Sequence, residues 1–121
     1  MTTLELVKKV VKTLDDKKAE DIQVIRVGDL TILGEYFIIA DGTNSTHVKS
    51  LVDEVEYQTK QVGKTPTRIE RDTSANWIIL DYTDVVVHMF YKEAREFYDL
   101  ERLWKDGEQI SVSELLEETK D

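Results

Sequence analysis

A chain of 121 residues without cysteine is sized for one domain around a single core, and it has no disulfide, thiolate metal site or thiol chemistry available. Its 16 Lys and Arg are scattered among 25 Asp and Glu, for a net charge of −9. Proteins that grip nucleic acid cluster cations against phosphate, so little direct nucleic-acid binding is expected and a basic protein is the better-matched partner.

The N-terminal stretch Met-Thr-Thr-Leu-Glu-Leu-Val-Lys-Lys-Val lacks the apolar run and small-residue site of a signal peptide. No segment approaches the roughly 20 apolar residues of a bilayer span. The expected address is the cytoplasm, away from any membrane. Leu4, Val7, Val11 and Leu14 fall at helical spacing and predict a first helix ending near Asp15 or Asp16. Ile22, Val24, Ile25 and Val27 predict a strand, and Gly28 and Gly34 bracket the connection that follows. Tyr36 to Ala40 is a nearly continuous apolar run, as a central strand covered on both faces requires. Asp41-Gly42-Thr43-Asn44-Ser45 makes a turn with Asn44 or Ser45 as N-cap. Val48, Leu51, Val52, Val55 and Val62 then form a helical stripe that Gly63 terminates.

Pro66 opens a third strand over Thr67 to Glu70. Trp77 to Leu80 and Val85 to Phe90 read as a β-hairpin across Asp81-Tyr82-Thr83-Asp84. The stretch from Glu93 to Trp104 begins as helix. These elements predict an α/β or α+β domain with a mixed five-stranded sheet flanked by helices. The domain spans residues 1–107 and ends at Lys105-Asp106-Gly107. Residues 108–121 form an acidic C-terminal tail, either a short helix opened by a Ser111-x-x-Glu114 capping box or disordered.

The functional signal lies between Trp77 and Trp104, which holds both tryptophans. Its beginning is ordinary core strand. Its end is not, because Tyr98, Leu100, Leu103 and Trp104 are more apolar than a short surface segment needs. Large apolar patches mark contact sites, and Trp and Tyr are frequent anchors of them. Trp77 divides evenly between core and contact roles, whereas Trp104 at the domain's end has less core to fill and is the better contact candidate. His88, between valines and methionine, reads as a core or interface histidine, and His47 as an exposed residue in the first turn of a helix.

Catalysis is the weaker reading. Gly42-Thr43-Asn44-Ser45 can imitate a phosphate-binding turn, and Glu70-x-Asp72 with Asp81 or Asp84 is the nearest approach to an Mg²⁺ triad. Carboxylates are abundant in so acidic a chain, and no Lys or Arg is poised over the turn. The two histidines form no zinc motif, and neither a P-loop nor a nucleophile elbow is present.

Lys17 to Ile22, Tyr36 to Ala40, Gly42-Thr43, Trp77, Leu80-Asp81-Tyr82, Asp84 to His88 and Tyr98 to Trp104 stand in the order and spacing of a known family. From Lys17 to Trp104 the chain resembles the ribosomal silencing factor, or iojap-like, family. The resemblance implies a nucleotidyltransferase-like fold without catalytic carboxylates, and no enzyme activity, cofactor or metal. It implies a translational repressor that acts when nutrients are short. Such a protein binds the large ribosomal subunit at its ribosomal protein fourteen and sterically blocks joining of the small subunit. Carried onto this chain, the contact set is Trp77, Asp81, His88, Tyr98, Leu100, Glu101, Leu103 and Trp104. A homodimer through the same aromatic patch is the alternative from another class. The chain departs from the family pattern at Thr83, where glycine is common, at Glu35 in place of aspartate, and at Asn44 to Val48, where Ser-x-Arg-Gln-Val is usual.

Overall fold

A computed structural model describes residues 1–71 and 76–119. Helix α1 (Thr3–Asp16) opens on a reciprocal cap, in which the Thr2 hydroxyl accepts from the Glu5 N–H and Glu5 accepts from the Thr2 N–H. Strands β1 (Glu20–Arg26) and β2 (Tyr36–Gly42) follow, and then α2 (Ser45–Gln61). Asn44 caps α2 by accepting from the His47 N–H at 2.8 Å, and Gly63 stands beyond the helix end at φ +81°. Next come β3 (Arg68–Arg71), β4 (Trp77–Asp81) and β5 (Val85–Tyr91). The chain closes with α3 (Lys92–Tyr98), α4 (Leu100–Leu103), β6 (Glu108–Ile110) and α5 (Val112–Glu118).

The sheet is six-stranded, ordered β3-β4-β5-β2-β1-β6. Among the described residues only the central β2–β5 pair is parallel, so the sheet is mixed and the α+β class stands. The sixth strand corrects the five-strand expectation. It comes from residues placed in the acidic tail, and it pairs antiparallel with Val24 to Arg26 of β1. Three residues are too few to show a period-two pattern. The turn before it depends on Gly107, where a Cβ would lie 2.5 Å from Ile25 Cγ2 and 3.0 Å from the Arg26 carbonyl oxygen. That glycine does more than end an element: it lets the backbone fold back against β1.

Strand alternation divides the core in two. On one face Val24, Ile38, Ala40, Ile78, Leu80, Val85, Val87 and Met89 pack under α1, α2 and Leu115 of α5. On the other, Ile25, Phe37, Ile39, Val86 and Phe90 pack with Leu100, Ala94, Trp77 and Trp104. Two short helices, α3 and α4, are the helical cover of this second face. The break between them is at Asp99, which adopts a left-handed conformation with φ 48°.

Candidate functional site

The second face carries the aromatic cluster. In the β4–β5 hairpin Trp77 lies opposite Phe90, Ile79 opposite His88 and Asp81 opposite Val86, so all six share one side of the sheet. Trp77 stacks on Phe90 with ring centroids 5.1 Å apart and meets Tyr98 of α3 at 4.5 Å. Phe97 stands edge-on to Tyr98 at 5.3 Å. On the other side of His88, Phe37 of β2 contacts the imidazole at 4.8 Å and Trp104 at 5.2 Å, both edge-on. The outer edge of this cluster is open. Tyr98 is 41% and Phe97 83% exposed, while Trp77, Ile79 and Trp104 are half-buried.

His88 lies beneath that surface at 6% exposure. Its Nδ1 accepts from the Trp77 indole N–H at 3.2 Å, which places the imidazole proton on Nε2. Among the described residues Nε2 has no hydrogen-bond partner. Burial pushes the His88 pKa down to about 4, against the upward pull of the Asp81 carboxylate.

An ionic clamp fastens the α3–α4 segment to the sheet. Arg95 of α3 is buried and donates from Nη1 to Asp41 at 2.9 Å and to the Asp21 carbonyl at 2.6 Å. Its Nε donates to Glu101 of α4. Asp21 sits at φ 49° in an irregular stretch of β1, which leaves its carbonyl available to the guanidinium. Burial raises the Asp41 pKa although Arg95 pulls it down. Burial also opposes the Arg95 charge, yet its bonds to Asp41 and Glu101 carry its pKa upward.

The expected contact residues therefore occupy different environments. Trp77, Tyr98 and Trp104 converge on one half-open surface. His88 and Leu100 lie under it, Leu100 at 7% exposure. Glu101 is held by Arg95. Asp81 accepts from the Thr83 N–H at 2.8 Å and pairs with Arg68 at 3.6 Å. The Leu103 side chain lies outside the described residues, as does Asp72 of the weighed metal triad. Its companion Glu70 is exposed and paired with Arg68 at 3.3 Å, and no group of three potential ligands gathers among the described residues. The turn after Gly42 is spoken for internally: the Thr43 N–H meets His47 Nδ1 at 3.0 Å, and His47 Nε2 donates to the Lys17 carbonyl at 3.0 Å. His47 is thus half-buried and bonded at both nitrogens, where an exposed residue was expected. The sequence reading missed Phe97, Phe37 and Arg95. Phe97 neighbours Tyr98 in a segment already marked as too apolar, so its signal was present.

The profile of the family RsfS, ribosomal silencing factor during starvation, matches residues 1–121. The chain belongs to this family. A ribosomal silencing factor of Halalkalibacterium halodurans is 31% identical over 112 residues, 93% of this chain and 96% of that protein. A crystal structure from Chromobacterium violaceum, 33% identical, superposes with a TM-score of 0.83 over 92% of each chain. The mouse protein named mitochondrial assembly of ribosomal large subunit protein 1 is 32% identical over 78% of this chain and 42% of its own length. The family and its bacterial relatives are named for silencing, a regulatory role rather than a catalytic one. No helix among the described residues of this silencing-factor chain is long and apolar enough to cross a membrane.

Proposed function

We propose that this protein represses translation by docking its aromatic face on the large ribosomal subunit, at ribosomal protein fourteen, where its bulk blocks the small subunit. The observation that carries the reading is the half-open surface of Trp77, Phe97, Tyr98 and Trp104, packed on a base that includes Phe37, Phe90 and Leu100. Exposed aromatic side chains seated on a packed base are suited to be binding hot spots. Family membership supports the regulatory role, and the name of the mouse relative supports the large subunit as the particle concerned. The net charge of −9 favours approach to a basic ribosomal protein and opposes direct contact with RNA phosphate.

Docking by shape breaks no bond, so the mechanism is occupancy alone. A specific interface of this type buries about 1,200–2,000 Å². Co-sedimentation of the full chain with isolated large subunits, small subunits and associated ribosomes tests it. Retention on free large subunits, with fewer associated ribosomes formed afterwards, is the expected outcome. Tyr98→Ala combined with Trp104→Ala is expected to abolish that retention while the far-ultraviolet circular dichroism is unchanged. Retention of this double variant would overturn the proposed face. A concentration-dependent dimer lost on the same replacements, with no ribosomal retention, would assign the face to self-association.

A further inference from the structure

We propose that His88 is a positioning residue of the docking face, which never meets the partner and instead fixes the Trp77 indole from beneath. This rests on the reading that the aromatic face docks on the large subunit. At 6% exposure His88 has almost no surface to offer, and its nearest ring neighbours, Phe37 and Trp77, separate it from solvent. Trp77, by contrast, is half-buried between Phe90 and Tyr98 and so keeps surface for a partner. The walls of that slot are aromatic, and apolar contact alone does not distinguish the two flat placements that rotation about χ2 allows an indole. The bond from Trp77 Nε1 to His88 Nδ1 does distinguish them, because only one placement points the N–H downward.

The rest of the His88 environment makes the same point. Its sheet neighbours are Ile39 on β2 and Ile79 on β4, neither of which offers a side-chain hydrogen bond. Nε2 has no partner among the described residues. A buried donor in that condition opposes folding, and an apolar side chain stacked on Phe37 avoids the penalty. What imidazole adds over an apolar residue here is one acceptor, Nδ1, aimed at the indole. Burial keeps the ring neutral at physiological pH, with Asp81 the charged group acting on it, so the acceptor is always present. A side chain fixed before binding loses less freedom on docking, which is how an unseen residue can contribute to affinity.

The test separates acceptor from ring. His88→Asn keeps an oxygen near the place of Nδ1, whereas His88→Met and His88→Phe fill the space without an acceptor. Affinity of the full chain for isolated large subunits is expected to stay within about 3-fold in His88→Asn and to fall about 10-fold or more in the two apolar variants. The apolar variants are expected to melt no lower than His88→Asn. Trp104→Phe leaves Trp77 as the sole tryptophan, so near-ultraviolet circular dichroism in that background reports its orientation. The Trp77 band is expected to survive His88→Asn and to collapse in the apolar variants. Equal losses of affinity in all three variants would make the imidazole itself the contact and overturn the proposal, as would wild-type affinity in His88→Met. If the wild type is not retained on large subunits, the docking reading fails. The Trp77 band then decides the positioning role alone: unchanged in both apolar variants, it overturns it.

Discussion

Replacing Arg95 by Met keeps most of the aliphatic stem and removes the charge that holds α3 and α4 on the sheet. The guanidinium donates to Asp41, to the Asp21 carbonyl and to Glu101, and all three acceptors lose their donor together. Asp41 is 2% exposed, so its buried carboxylate is left without its cation. Breaking a buried ion pair by removing one partner costs about 3–5 kcal/mol, most of it the penalty on the remaining charge. With an unfolding entropy of about 2.1 cal/mol/K per residue, the 121 residues carry about 0.25 kcal/mol/K, so the expected fall in Tm is roughly 12–20 °C.

The pH dependence follows from the same geometry. Burial already raises the Asp41 pKa in the native protein, and loss of Arg95 raises it further. A carboxyl whose folded pKa lies above its unfolded value favours folding when protonated, and that contribution is lost as pH rises through the folded pKa. The Arg95→Met defect is therefore expected to shrink on acidification from pH 7 toward pH 5, read by urea unfolding at each pH. Arg95→Met with Asp41→Leu removes the orphaned charge and is expected to recover more than half of the loss. A single variant within about 1 kcal/mol of wild type, or a double variant no better than the single, would refute the assignment of the clamp.

Thr83 occupies the hairpin turn at φ 76°, where a β-branched side chain is strained, so Thr83→Gly is expected to stabilise by about 0.5–1 kcal/mol in chemical denaturation. An unchanged midpoint would mean that the bonds Tyr82 N–H to Val85 O and Thr83 N–H to Asp81 already absorb the strain. His88 has a folded pKa of about 4, below its ordinary 6.5. Its neutral form therefore contributes stability that is present above pH 6.5 and lost as pH falls toward 4, and the advantage of wild type over His88→Asn should shrink by about 2 kcal/mol between pH 6.5 and pH 5. Parallel urea curves for the two proteins across that range would contradict the burial of His88. Leu115 of α5 is 4% exposed in the larger core cluster, so Leu115→Ala is expected to destabilise by about 2–3 kcal/mol in urea. A neutral result would mean that α5 contributes nothing to the core.

The helices and central strands were legible because their patterns are long. Leu4, Val7, Val11 and Leu14 carry the 3.6-residue period over about three turns, and Tyr36 to Ala40 shows the unbroken apolar run of a doubly covered strand. Asn44, Gly63 and Ser111 announced helix ends through chemistry that needs no tertiary context. Thr2-x-x-Glu5 is an equally local signal that went unread. Strand β6 could not be seen in this way, since Glu108–Ile110 gains its identity only by pairing with β1. The candidate face was legible as an excess of aromatic residues, but the depth of each side chain was not. His88, Leu100 and Glu101 were grouped with Tyr98 and Trp104 because they match positions of the resembled family, whereas the aromatic cover over His88 and Leu100 and the Arg95 clamp on Glu101 draw them inward. Arg95 itself resembled one more surface cation in a charged helix. Its partners Asp21 and Asp41 stand 74 and 54 positions away, a separation that no local pattern spans.

The two sides of the sheet are covered unequally, and that inequality bears on function. One is closed by α1 and α2, helices of 14 and 17 residues, with α5 added. Among the described residues the other has helical cover only from α3 and α4, of 7 and 4 residues, and aromatic rings fill the space that longer helices would occupy. An apolar surface left open in this way is a liability unless a partner covers it, and a loose one would bind poorly because ordering it opposes association. Here the looseness is removed in the free protein. Arg95 fixes the segment that carries Tyr98 and Trp104, and His88 fixes Trp77, so two buried polar groups hold the exposed edge in one shape. On the proposed docking, the acidic charge acts at longer range, on encounter rather than on the contact itself. Raising salt should therefore slow association with a basic ribosomal surface while leaving dissociation nearly unchanged. A dissociation rate that climbs steeply with salt would move the binding energy from the aromatic rings to surface charge.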